Sequence, residues 1–372
     1  MKTSALGLLT LLAMSAAAYA VPALGDGNGT ELFFTGSAGF QYDDNIFFRT
    51  NNAAGDYVTT LTPGIDLPFS TQSITKGELT YNEAFAFYSD HSDQNSSLAN
   101  VKLVTSYDDE QIKAKFDASF VQLAQNSAIL RSTGSLVRRD LTSADSSAEL
   151  RLSEKSSVAV GGAFDRTKYK LPYFISDDVI RVPVSFYYEV SPKVDLSLRY
   201  QYRYTDQLKS PADNHDNFLG LGARGEFTAK LSGEFHIGAA KREFKQGGSA
   251  NLVDIDSTFT YTYSPKTVCQ FGVARDFDTV ATGSTVRYSS ANLGMISNFT
   301  ETFSGNLSVA YRATDYYGLN RSDKYWEGSA GLSYKFNAHA SIAAGYTYRK
   351  NSSTSPVAFT DNVYNVVASF RF

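Results

Sequence analysis

The chain has 372 residues, a net charge of −4 at pH 7 and a single cysteine, Cys269. The acidic balance argues against a nucleic-acid partner, and one cysteine excludes an internal disulfide. The 24 Tyr and 26 Phe, against one Trp and only 9 Pro, favour β-strands and membrane interfaces over an ordinary globular core.

The first residues have the features of a secretory signal peptide. Lys2 leads into an apolar run over residues 5–18, and Ala18, Tyr19 and Ala20 form a small-residue cleavage site before Val21. We expect residues 1–20 to be removed and residues 21–372 to form one domain. No later stretch approaches the roughly 18 unbroken apolar residues of a membrane helix, so the exported chain either folds in water or crosses lipid as a barrel.

Apolar and polar residues then alternate along strand-length segments up to the last residue. The first segment places Phe34, Phe40 and Tyr42 on one face and Ser37 and Gln41 on the other. This period of two predicts strands with one apolar and one polar face. Counting the segments gives about 18 strands of roughly 10 residues, long enough to cross a bilayer when tilted.

The connections between these segments alternate between short turns and longer polar loops. Short turns fall at residues 108–111, 190–193 and 264–266, whereas longer loops fall at residues 45–56 and 124–144. Short turns on one side and long loops on the other characterise bacterial outer-membrane barrels. We therefore predict an all-β fold, a membrane-spanning antiparallel up-and-down β-barrel, wide enough at about 18 strands to enclose an aqueous channel.

A channel acts through the side chains that line it, and arginines recur on the inward faces of the predicted strands. One hypothesis is a basic belt that favours anionic solutes. The alternative is that each arginine pairs with a lumen carboxylate and joins neighbouring strands. The selectivity candidates are Arg181, Arg199, Arg203, Arg224, Arg242, Arg312 and Arg349, and the candidate carboxylates are Glu149, Asp195, Glu226, Glu234, Asp254, Asp256 and Glu327.

The longest loop, residues 124–144, combines charged residues with Ile129, Leu130 and Leu136. It is the third exterior loop of the predicted barrel. It resembles in position the loop that folds inward and narrows the channel of general porins, but an ordinary exposed loop has the same composition. The sequence leaves both alternatives open.

Catalytic and metal-binding patterns are weak. The four histidines are scattered and show no metal-protease spacing, and only His236 lies on an inward face, close to Glu234. Such a pair could act as base and orienting group, but no nucleophile is evident beside it. We predict no enzymatic activity, no cofactor and no metal.

The final segment is a strand with an outward aromatic face that ends on Phe372. Tyr364, Phe370 and Phe372 share that face, and Arg371 lies on the other. A closing strand that ends in Phe resembles the sorting signal that assembly machinery reads on outer-membrane barrels. We expect this strand to pair with the first one and remove the last open edge of the sheet.

One motif resembles a known family. Residues 42–50 read Tyr42, Asp43, Asp44, Asn45, Ile46, Phe47, Phe48, Arg49 and Thr50, and Leu61, Thr62, Pro63 and Gly64 follow. This run resembles the opening of the family called putative β-barrel porin 2. The resemblance implies an exported barrel with a transport role, and some members are associated with exopolysaccharide export. Pro63 falls on the lipid face, where its missing N–H predicts a bulge or an imperfect ladder.

Together these observations predict a passive channel in the bacterial outer membrane, with exopolysaccharide secretion as a more specific hypothesis. The alternative is a non-transporting surface barrel, an adhesin or scaffold that acts through its loops. The expected partners are outer-membrane lipid and lipopolysaccharide, the barrel assembly machinery and, for the secretion hypothesis, a polysaccharide-export complex.

Overall fold

The structure, a computed structural model, describes residues 24–25, 29–130 and 134–372. The predicted signal peptide, residues 1–20, lies outside the described residues, and its removal stays a prediction. A two-residue strand, β1 (Leu24–Gly25), pairs with the next strand. Among the described residues no helix is both long and apolar enough to cross a membrane.

The remaining strands form one closed antiparallel barrel of 18 strands, β2 to β19, in which each strand pairs with its sequence neighbours and β19 pairs with β2. The predicted fold class and strand number are thus confirmed. The barrel strands are β2 (Glu31–Asp43), β3 (Asp56–Phe69), β4 (Thr75–Tyr88), β5 (Ser96–Asp108), β6 (Ile112–Ala124), β7 (Arg138–Ser153), β8 (Ser156–Tyr169), β9 (Asp177–Ser191), β10 (Val194–Gln207), β11 (Asn214–Glu226), β12 (Leu231–Phe244), β13 (Ser249–Ser264), β14 (Thr267–Thr279), β15 (Thr285–Asn298), β16 (Phe303–Tyr316), β17 (Ser322–Lys335), β18 (Ala340–Ser353) and β19 (Phe359–Arg371).

The predicted strand length of roughly 10 residues was wrong, because these strands contain 13 to 16 residues. Their extra residues continue the hydrogen-bonded ladder beyond the apolar band and shorten the loops. The loop predicted at residues 124–144 is therefore only 125–137, since Ala124 ends β6 and Arg138 begins β7. The two longest connections, 44–55 and 125–137, lie at one end of the barrel, the long-loop end, and the two-residue connections 154–155 and 192–193 lie at the other, the short-turn end. Several of the predicted long loops are shorter than expected, and 245–248 has only four residues.

The outer surface of the wall is apolar. On β10, Leu196 and Leu198 are each 49% exposed, whereas Ser197 between them is 4% exposed. Because alternate side chains point to opposite faces of a strand, the exposed leucines lie on the outside and Ser197 faces the lumen. A continuous exposed apolar surface of this kind is typical of a wall that contacts lipid.

Aromatic rings flank the apolar band at both ends. Near the long-loop end Tyr346 and Tyr364 lie 4.9 Å apart between ring centroids, and Tyr42 and Tyr57 lie 4.8 Å apart. Near the short-turn end the row consists of phenylalanines, and the rings of Phe227, Phe235, Phe259 and Phe271 follow one another across four strands. Amphipathic tyrosines suit the headgroup region, so the two ends offer different chemistry to the membrane surface.

Pro63 lies on the outer face, as predicted, and its ladder is imperfect. Between β3 and β4 the pairing runs through Leu61 with Phe85 and resumes at Gly64 with Asn82, with no partner for Thr62 and Pro63. Gly64 is required here, because a Cβ on it would lie 2.6 Å from the carbonyl oxygen of Tyr81.

Candidate functional site

The lumen wall contains a three-residue ion-pair ladder near the long-loop end. Arg203, Asp216 and Arg242 lie directly opposite one another on β10, β11 and β12. The Asp216 carboxylate is 2.5 Å from Arg203 Nε and 2.6 Å from Arg242 Nε. Arg203 also contacts Asp276 on β14 at 2.5 Å. Because Asp216 and Arg242 are almost fully buried, these charges are held in place by each other instead of by water.

The other predicted arginines also face carboxylates. The contacts that they make are Arg181 to Asp165 at 2.7 Å, Arg224 to Glu149 at 2.6 Å and to Asp195 at 3.0 Å, Arg312 to Asp278 at 3.2 Å, Arg349 to Asp361 at 2.9 Å and to Glu327 at 3.2 Å, and Arg199 to Asp256 at 3.8 Å. All seven candidates thus line the wall as paired groups, which is the geometry of the wall-joining alternative. Their role in solute selection stays a prediction.

Three of the predicted carboxylates have other surroundings. Glu226 pairs with Lys193 at the short-turn end, where both side chains are exposed, so the arginine partner expected for it was wrong. Glu234 approaches His236 instead of an arginine. Asp254 has no basic side chain within ion-pair distance among the described residues.

The structure also shows charges that the arginine census missed. Lys102 on β5 and Lys115 on β6 pair with the inward-facing Ser119 and Ser147, both lysines are exposed, and neither has an ion-pair partner among the described residues. Glu234 on β12 and Asp254 on β13 line the wall seven strands further round the barrel. Both parts of the wall carry charges of both signs, because Asp117 lies opposite Asp145 beside Lys115, and Arg224 lies opposite Glu234. The inward position of Lys115 was readable from the alternation in β6.

The connection between β6 and β7 closes over the long-loop end. Leu130 and Val137 are 5% and 0% exposed and pack with Ala281, which belongs to the connection between β14 and β15. Ile129 packs against Val280, Val286 and Tyr316 in the same region. Since β6 and β14 are eight strands apart, this loop crosses the mouth of the barrel. The inward-folding alternative is the one that the structure shows.

The connection between β2 and β3 completes this cover. Ile46 and Phe47 are buried against Leu136, and Asn126 Nδ2 donates to the Ile46 carbonyl oxygen at 3.4 Å. The backbone N–H of Leu136 donates to Gln94 Oε1 at 2.8 Å. We refer to residues 44–55, 125–130, 134–137 and 280–284 together as the mouth cap. Its apolar contacts make the cap part of the folded structure and not a set of loops in water.

The Asp43-Asp44-Asn45 run of the family-like motif closes the seam between β2 and β19. The pairing of these strands begins only at Val363 with Asp43. Beyond it, Asp44 accepts hydrogen bonds from the Asn362 backbone N–H at 2.7 Å and side-chain amide at 2.6 Å. Asn45 Nδ2 donates to the Thr360 carbonyl oxygen at 2.9 Å. These side-chain hydrogen bonds thus join β2 to β19 at the long-loop rim, beyond the end of their backbone ladder.

The rim beside β11 carries an ion pair outside the wall. Lys245 Nζ lies 2.6 Å from Asp213 Oδ2, and the Gln207 backbone N–H donates to Asp213 Oδ1 at 3.1 Å. The hydrogen bond from Lys245 holds the pKa of Asp213 below its ordinary value, and the same bond raises the pKa of Lys245. Both groups therefore stay charged near neutral pH.

His236 has a hydroxyl neighbour that the sequence did not reveal. Ser197 Oγ lies 3.1 Å from His236 Nε2, and Glu234 Oε1 lies 3.4 Å from His236 Nδ1. Ser197 and His236 are 4% and 1% exposed, and the backbone of Gly222 packs against both side chains. The hydroxyl and the imidazole ring are therefore packed inside the wall, whereas the Glu234 side chain is 48% exposed.

The closing strand has the predicted geometry. Tyr364, Phe370 and Phe372 are 53%, 47% and 52% exposed on the outer face. The backbones of Phe34 and Phe372 exchange hydrogen bonds of 2.7 and 2.9 Å, and Arg371 pairs with Asp66 at 3.2 Å. The role of this strand in recognition by assembly machinery stays a prediction.

An 18-stranded antiparallel barrel with an apolar outside and a charged lumen defines the class of a porin-like outer-membrane β-barrel. The family model of putative beta-barrel porin 2 matches residues 219–372, which run from β11 to β19. This match confirms the family resemblance, although it covers less than half of the chain and lies away from the motif in residues 42–64 that suggested it.

A search of curated proteins finds no match. Among solved structures, OpdO of Pseudomonas aeruginosa has 12% identity and a TM-score of 0.49 over 92% of this chain and 97% of its own. OpdK of the same organism has 10% identity and a TM-score of 0.48 over 92% and 98%. OccAB4 of Acinetobacter baumannii has 9% identity and a TM-score of 0.48 over 94% and 100%.

Proposed function

We propose that this protein is a passive outer-membrane channel for small hydrophilic solutes, with its long-loop end at the cell exterior. The observation that carries the proposal is the contrast between the two faces of one wall, apolar outside and charged inside. A barrel of about 18 strands is too wide for side chains to fill, so charged residues on its inner face line water.

The mouth cap supports small solutes over large ones. Ile129, Leu130 and Val137 hold the connection between β6 and β7 against the connection between β14 and β15, so this loop lies across the mouth and reduces its opening. An exopolysaccharide conduit stays the more specific hypothesis. That function requires the mouth cap to move aside, because a polysaccharide has to pass through the mouth as an extended polymer chain.

Single-channel conductance in planar bilayers tests the proposal. We expect the wild-type barrel to give a small, stable conductance. The triple variant Ile129→Ser, Leu130→Ser, Val137→Ser loosens the cap and should raise the conductance severalfold, because buried apolar contacts hold the loop across the mouth.

Leu319→Ser is the matched control. Leu319 belongs to a long-loop connection but is 56% exposed, so its replacement should leave the conductance unchanged. If the wild-type and the loosened barrel both fail to conduct, the channel proposal is wrong. The protein would then be a closed barrel that acts through its exterior loops.

A further inference from the structure

We infer that Asp43, Asp44 and Asp361 form a binding site for one hard divalent cation of the Ca²⁺ class at the long-loop rim. Asp43 ends β2, Asp44 follows it, and Asp361 is the third residue of β19. One carboxylate oxygen from each residue lies within 4.8 Å of the others. The site therefore bridges the two strands at which the barrel closes. No metal site was predicted from the sequence, because Asp361 lies about 317 positions after Asp44 in the chain.

A second observation points to a missing ligand. Asp361 is 0% exposed, and its Oδ2 accepts a hydrogen bond from Arg349 Nη1 at 2.9 Å. Its other oxygen, Oδ1, is buried and has no hydrogen-bond partner in the part of the chain that the structure describes. Burying a carboxylate oxygen without a partner is unfavourable, so an atom that binds it stabilises the fold. A cation between the three carboxylates supplies that atom.

The charge balance around the cluster also favours a cation. Arg349 is the nearby arginine, and it is shared between Asp361 and Glu327. Asp56 lies directly opposite Asp43 on β3, and its own oxygens are occupied by the backbone N–H groups of residues 89–91 and by His91 Nδ1. Like charges facing each other on neighbouring strands are destabilising, and a divalent cation offsets them.

The ligand chemistry selects the class of ion. All three groups offer oxygen, which hard cations prefer and soft transition metals do not. Ca²⁺ accepts roughly six to eight oxygen ligands in a flexible geometry. Mg²⁺ draws its ligands to about 2.1 Å and requires near-octahedral geometry. Asp361 and Asp43 are 0% and 8% exposed, so few waters can reach the site, which suits Ca²⁺ better than Mg²⁺, an ion that usually keeps several waters.

A bound cation would stabilise more than the junction between β2 and β19. Asp43 Oδ1 accepts the Asn45 backbone N–H at 2.8 Å, and Asn45 begins the turn that brings Ile46 and Phe47 into the mouth cap. A bound cation would therefore hold the first turn of the connection between β2 and β3 against β19. This inference does not depend on whether the barrel conducts.

Calorimetric titration of the full barrel in detergent micelles with Ca²⁺, and separately with Mg²⁺, tests the site. We expect one Ca²⁺ per chain, weaker binding of Mg²⁺ and a higher unfolding temperature in Ca²⁺ than in EDTA. Asp361→Asn and Asp44→Asn should each weaken Ca²⁺ binding by at least about tenfold, because affinity follows the charge of the ligands. Asp44 is only half-buried, so its variant keeps the test valid if Asp361→Asn fails to fold.

Asp315→Asn is the control, since Asp315 is an exposed acid at the same end of β16. It should bind Ca²⁺ as the wild-type protein does. The inference is overturned if the wild-type barrel neither binds Ca²⁺ nor gains thermal stability from it, or if Asp361→Asn binds Ca²⁺ unchanged. A proton shared by Asp43 and Asp361 would give the first of these results, together with an Asp43→Asn variant that is more stable in EDTA than the wild-type protein.

Discussion

At the scale of single residues, the lumen wall is organised by shared ion pairs, in which one charged group contacts two partners. Asp216 binds Arg203 on one side and Arg242 on the other, and all three come from adjacent strands in direct register. The period of two placed Arg203 and Arg242 inward from the sequence alone, whereas Asp216 was not among the predicted lumen carboxylates. It could not supply the pairing, because Arg224 reaches Glu149 four strands away and no local pattern encodes that distance.

Removing the shared carboxylate tests the importance of this ladder. Asp216→Asn leaves Arg203 and Arg242 without their common charge, and breaking a buried ion pair costs about 3 to 5 kcal/mol. We expect the free energy of unfolding in urea, measured on the barrel in detergent, to fall by an amount in that range.

Arg166→Gln provides the comparison. Arg166 pairs with Asp178 at 2.6 Å, but its side chain is 49% exposed. Exposed ion pairs contribute about 1 kcal/mol or less, so this variant should be nearly as stable as the wild-type protein. Equal losses from the two variants would show that the buried ladder has no special role.

At the scale of the elements, the strand pattern was predictable and the strand ends were not. Alternation identified each strand, because one face must suit lipid and the other water. It failed at the ends, since residues beyond the apolar band face water on both sides and lose the alternating signal. The loop predicted at 124–144 was too long for this reason, because Arg138 to Ala144 continue the ladder of β7.

The path of that loop was not predictable either. Its apolar residues fit both an exposed and an inward-folded loop until Ala281, more than 140 residues later, is placed beside Leu130. Contacts between distant connections depend on closure of the whole barrel.

A charge on the outer face tests the assignment of that face to lipid. Leu221 is 64% exposed near the middle of β11. Leu221→Arg should destabilise the barrel folded in a bilayer by about 2 to 4 kcal/mol, because an arginine near the midplane is poorly solvated. Leu319→Arg, in a connection at the long-loop end, should cost close to nothing. Equal and small effects at both positions would contradict a lipid-facing wall.

At the scale of the whole molecule, the barrel combines an open architecture with a covered mouth. The 18 strands set a diameter that side chains cannot fill, and the mouth cap then reduces the opening at one end. The family match to putative beta-barrel porin 2 over residues 219–372 agrees with the architecture. The passage therefore depends on the balance between lumen width and cap closure.

Swelling of liposomes that contain the purified barrel, with sugars of graded size outside, measures this balance most directly. We expect liposomes that contain the wild-type barrel to swell rapidly with monosaccharides and slowly with oligosaccharides. The Ile129→Ser, Leu130→Ser, Val137→Ser variant should shift the size limit upward. Absence of swelling with every sugar, in both the wild-type and the loosened barrel, would contradict the proposal that the barrel is a channel.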